Sequence, residues 1–94
     1  MKNMLRDDFI NFLEGNFHQD IESVDDAINE INEEESKDYL YYATEFITEF
    51  LNSDISNEDK INIIMESTAL YYEDKNQYIV LIEDILKSIN KKLN

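Results

Sequence analysis

His18, the only imidazole in the chain, lies in the segment NFHQD (16–20), preceded by an aromatic and followed by an amide and a carboxylate. These are the residue types that proton transfer or metal binding would use. A Ser-His-Asp or Cys-His relay would have to run through His18, and the chain offers it no cysteine and no glycine-flanked nucleophile. Paired carboxylates could serve glycoside hydrolysis, but 22 acidic residues in 94 produce such pairs by chance. For a metal, Glu14 and His18 stand four apart, followed by Asp20, Glu22, Asp25 and Asp26. Gly15 is expected to end the helix between the first two and to spoil their shared face. As calcium loops, the segments starting at Asp20 and Asp54 place Asp25 and Asp59 at the sixth position, where glycine is required. They place Ile31 and Met65 at the twelfth, where a bidentate glutamate is required. The residues therefore argue against an enzyme, and no catalytic, metal-binding or cofactor-binding residue is assigned.

Two other groups of residues suit protein recognition. Tyrosines cluster as Tyr39, Tyr41 and Tyr42, then as Tyr71, Tyr72 and Tyr78. Neighbouring tyrosines on one helix cannot all face inward, so at least one of Tyr41 and Tyr42 should be partly exposed. Helical spacing places Tyr41 with Asp38, Glu45 and Glu49, an aromatic framed by carboxylates. The run EINEEES brings Glu33, Glu34 and Glu35 to the C-terminal end of a helix, where negative charge opposes the helix dipole. Together Glu33, Glu34, Glu35, Asp38, Tyr41, Glu45 and Glu49 form the candidate partner-binding surface.

The elements that must position these residues are helices. With no proline and one glycine, the chain has little to punctuate strands or long loops. Segment one, roughly 4–16, places Leu5, Phe9, Phe12 and Leu13 at helical spacing. Segment two begins at Ser23, with Asp26 as the reciprocal capping partner, and carries Val24, Ala27, Ile28 and Ile31. Segment three follows Ser36 and runs to about Ser53, with Leu40, Ala43, Ile47, Phe50 and Leu51 inward and Tyr39, Tyr42 and Phe46 widening that face. Segment four starts at Ser56 with Asp59 three later, and its stripe runs through Ile61, Ile64, Met65, Thr68 and Tyr72. Segment five is capped by Asp74, with Gln77 at the third position. Its stripe is Tyr78, Leu81, Ile82, Ile85, Leu86, Ile89 and Leu93, with Lys87, Lys91 and Lys92 near its end. The pattern predicts an all-α bundle of four to five helices with short loops, one domain over residues 1–94.

The balance of charge is strongly acidic, with a formal net charge of −14. Residues 7 to 84 hold all 22 acids and only three lysines, Lys37, Lys60 and Lys75. Such a surface repels nucleic acid and anionic membranes and attracts cationic proteins. The N-terminal MKNMLRDDF lacks the apolar stretch of a signal peptide, and the apolar runs YLYYA and YIVLI are far too short to span a bilayer. A cytoplasmic protein is expected, monomeric unless Ile63 and Leu70, off the main stripe of segment four, mark a homodimer face.

The segment FHQD (Phe17, His18, Gln19 and Asp20) resembles the hallmark of a family of contact-dependent growth inhibition immunity proteins. In that family an aromatic-His-Gln-Asp turn follows an N-terminal helix, and a helix rich in Asp and Ala comes next. Here SVDDAINEI (23–31) holds that place. The specific part of the likeness covers about residues 9 to 31, and Ile21 stands where the family usually has tryptophan. The resemblance implies a cytoplasmic antitoxin that binds and neutralises the C-terminal toxin domain of a cognate protein, with a basic nuclease the natural target of so acidic a surface. Phe17 is expected to be buried, with His18 or Asp20 bonded to free helix-end backbone groups, so that the turn holds the fold rather than the partner. An acidic mimic of nucleic acid and a small helical regulatory module are the alternatives.

Overall fold

Three serines set the starts of three helices. Ser23, Ser36 and Ser56 each accept, through Oγ, the backbone amide three residues on, from Asp26, Tyr39 and Asp59, at 3.0–3.1 Å. In each case a donor that a helix leaves unpaired at its first turn is satisfied. The computed structural model describes residues 3–94, with side chains from Leu5 onward. It contains α1 (Asn3–Asn16), α2 (Val24–Glu34), α3 (Lys37–Asn52), α4 (Asn57–Ser67) and α5 (Asn76–Leu93), and no strand among the described residues. The all-α bundle is as the periodicity predicts. Ser36 is a cap the pattern left unassigned. At Ser23 and Ser56 only the forward half of the capping box forms, since neither Asp26 nor Asp59 bonds back to the serine amide.

Helix α3 packs against α1 and α5, while α2 and α4 each bridge α1 and α5. The molecule measures 31 × 30 × 19 Å, so its short dimension is about two helix diameters. Between the layers lie all five phenylalanines, each no more than 2% exposed. Phe9 stacks on Phe50 at 4.2 Å between ring centroids, and Phe12 meets Phe46 edge-on at 5.4 Å. From α5, Tyr78, Leu81, Ile82, Ile85 and Ile89 complete the core, with Leu86 and Leu93 at its rim.

The structure corrects the sequence reading at three places. Helix α4 stops at Ser67 and does not reach Tyr72; Thr68 is extended, at φ −129° and ψ 162°. Bonds from distant residues hold the chain there. The Ala69 amide donates to the Phe17 carbonyl at 2.9 Å. The buried Tyr78 hydroxyl donates to the Leu70 carbonyl and accepts the Tyr72 amide. Ile63 and Leu70 consequently do not share a helix face, and both pack against the core. At α5 the N-cap position belongs to Lys75, although the Asp74 carboxylate still accepts the Asn76 amide at 3.0 Å. Lys60, 7% exposed, sends its Nζ to the Leu51 carbonyl at 2.8 Å, a cation at the negative end of α3.

Gly15 is the third correction. It lies inside α1, its φ is not positive, and a Cβ built there meets nothing within 4 Å. Glycine inside a helix costs conformational entropy without return here. Gly15→Ala is therefore expected to raise stability by about 0.5–1 kcal/mol. Urea unfolding checks this, and an unchanged midpoint would show that the last turn of α1 is not helical in solution.

Candidate functional site

Helix α1 ends in the turn that carries FHQD. Phe17 is fully buried as expected, its ring edge-on to Phe12, and its amide bonds the Leu13 carbonyl at 2.9 Å. The imidazole of His18 does not reach a helix end. It is exposed, and its Nδ1 accepts the Asp20 amide at 3.1 Å inside the turn. That geometry requires the tautomer protonated on Nε2. Asn16 instead bonds back onto the last turn of α1, its Nδ2 donating to the Phe12 carbonyl at 2.9 Å. Gln19 and Asp20 are exposed. Beside the turn, a cleft of about 360 Å³ is lined by His18, Asp20, Ile21 and Glu22 and, from α2, by Asp26 and Glu30. Among the described residues no three His, Cys, Asp or Glu side chains converge on a point where a metal ion could sit.

The α3 face is assembled by spacing alone. Asp38, Tyr41, Glu45 and Glu49 occupy successive turns of one side of the helix. Tyr41 is 57% exposed, Asp38 and Glu45 are exposed, and Glu49 is half-buried. Glu45 and Glu49 also border an open groove with Thr44, Thr48, Asn52 and Asp54. Glu33 and Glu34 are exposed on the last turn of α2, and no bond among the described residues ties them to this stripe. Glu35, the C-cap of α2, turns instead towards α1 and the start of α3.

There the fold builds something that spacing did not reveal. A cleft of about 310 Å³ is lined by Asp8, Asn11 and Asn16 of α1, by Glu35, and by Tyr39 and Tyr42 of α3. The Tyr42 hydroxyl donates to Asp8 Oδ2 across 34 positions of sequence. Both tyrosines widen the core face as expected, packing half-buried against it, and also wall this cleft, Tyr42 edge-on to Phe46 at 5.5 Å. Their phenols register the local charge. The bond to Asp8, then burial, then the negative charges of Asp8 and Glu45 push Tyr42 up to about 12. Burial, followed by the charges of Glu35 and Asp8, raises Tyr39.

The fold thus favours the neutral Tyr42 phenol over its anion. Its contribution to stability is complete below pH 10.0, the ordinary phenol value, and is lost as the pH climbs through about 12. The melting temperature is expected to fall across that window, and less steeply in Tyr42→Phe. Identical slopes for the two proteins would show that the Asp8 bond contributes nothing in solution.

Tyr71 is a further aromatic whose exposure was not foreseen. It stands 78% exposed on the α4–α5 loop, with Lys75 Nζ 5.9 Å from its ring centroid. Its position follows from the early end of α4. Among the described residues no helix is long and apolar enough to cross a membrane. No protein-family model, curated protein or solved structure matches the chain.

Proposed function

We propose that the protein is an immunity protein, an antitoxin that binds a basic toxin domain of a competing or neighbouring system and neutralises it in the cytoplasm. One observation carries this reading: an exposed tyrosine, Tyr41, stands on a rigid helix between carboxylates, on a chain of net charge −14. An aromatic anchor flanked by carboxylates on a strongly acidic chain suits a partner of the opposite sign. A helix fixes its geometry before binding, which lowers the ordering cost of association. The likeness of Phe17, His18, Gln19 and Asp20 to the immunity-protein turn adds to this, and the buried Phe17 gives that turn a folding role.

The test is genetic and then biochemical. A gene for such a protein is expected beside one encoding a toxin domain, and the two purified products should form a complex whose association slows as salt is added. The toxin's activity should fall in proportion to complex formed. A neighbouring toxin domain that neither binds nor loses activity would overturn the proposal. Inhibition of many unrelated nucleic-acid enzymes with equal strength would instead favour the acidic-mimic alternative.

A further inference from the structure

The cleft between α1 and the start of α3 joins carboxylates to two tyrosine rings. Its two charged groups, Asp8 and Glu35, are both carboxylates, and no basic side chain lines it. Its acceptors are largely unspent. Asp8 gives Oδ2 to Tyr42, while Oδ1 takes no bond from any described residue. The Glu35 carboxylate, the Asn11 side chain and the Tyr39 hydroxyl make no hydrogen bond there either. Asn16 uses its amide nitrogen on Phe12 and keeps its oxygen. Two tyrosine rings form the walls, and Tyr39 and Tyr42 are both held edge-on against Phe46.

We infer that this cleft receives an arginine side chain of the bound basic protein, with the guanidinium against the tyrosine rings and its N–H groups on Asp8 and Glu35. This inference rests on the reading of the protein as a binder of a cationic partner and names the contact that the partner makes. The chemistry selects arginine over other donors. A guanidinium is planar, stacks on aromatic faces, and presents several N–H groups in a fixed fork to carboxylates and amide oxygens. An ammonium has the charge without the plane. A neutral donor has neither the Coulomb attraction nor the cation–π term. Burial raises the Tyr39 phenol and the Asp8 bond raises that of Tyr42, with the carboxylates of the cleft adding to both. The position fits a docking surface as well. Tyr42 follows Tyr41 on α3, and Asp38 lies one turn before it, so an arginine seated here would border the exposed stripe.

Blocked arginine (the N-acetyl amide) is the probe, with the blocked citrulline analogue as its neutral isostere, followed by ring resonances of Tyr39 and Tyr42 in the intact protein. Arginine is expected to shift both rings saturably at millimolar concentration and citrulline to leave them unmoved. Glu35→Gln removes one carboxylate from an exposed side chain with no bond of its own, so the fold is untouched. It should weaken arginine binding about fivefold. Asp8→Asn, checked by its melting curve, should do at least as much. Equal shifts from citrulline, shifts that never saturate at these rings, or a Glu35→Gln protein that binds arginine as before would each overturn the inference. The toxin domain separates this from the wider reading. If it binds the wild-type and Glu35→Gln proteins equally at low salt, the cleft fails and the antitoxin reading stands. If arginine titrates the cleft and no toxin domain binds, the cleft chemistry is supported and the antitoxin reading fails.

Discussion

Replacing Phe17 with alanine is expected to destabilise the protein by about 3–5 kcal/mol. A domain of this length has about 5–14 kcal/mol in all, so the variant would lose roughly a fifth of its stability or more. The ring is fully buried where the first turn meets the core. The Phe17 carbonyl also holds the α4–α5 loop through Ala69, so a collapse around the missing ring would disturb a second segment. His18→Ala, which removes one hydrogen bond from an exposed side chain, should cost only about 0.5–1.5 kcal/mol. Chemical denaturation of both variants measures the contrast. A Phe17→Ala cost below that of His18→Ala would mean the turn is held by its imidazole. If folded His18→Ala also lost its partner, the turn would belong to the interface.

Much of this could be read from the chain because its determinants are local. The apolar residues of α1, α2, α3 and α5 recur at helical spacing and are the residues found in the core. Ser23 and Ser56 mark helix starts because a cap is settled within four residues. What the chain concealed depends on contacts far apart in sequence. The apolar pattern of α4 continues in principle to Tyr72, yet the backbone beyond Ser67 is captured by Phe17 and Tyr78, and no local propensity encodes that competition. Gly15 reads as a stop, but a helix tolerates glycine once Phe12, Leu13 and Phe17 anchor both sides of it. The Asp8–Tyr42 bond and its cleft depend on α1 lying against α3, which spacing along either helix cannot show. The α3 stripe was legible for the opposite reason, since one helix alone sets its geometry.

Tyr41→Ala is expected to weaken binding of the toxin domain by about thirtyfold or more, the loss of roughly 2 kcal/mol that marks an interface anchor. The side chain is 57% exposed, so the fold should be little affected and the loss should appear in the dissociation rate. Glu45→Lys, also on an exposed side chain, should act on the other rate. It reverses a charge beside the anchor, so association should slow severalfold at low salt and recover as salt screens the field. The matched controls are Tyr71→Ala and Glu83→Lys, an equally truncated exposed aromatic on the α4–α5 loop and an equal charge reversal on α5. If α3 is the face, the controls keep near wild-type affinity. Equal effects of the two charge reversals would show that net charge alone steers encounter. A larger loss from Tyr71→Ala than from Tyr41→Ala would move the interface to the loop that Tyr78 holds in place.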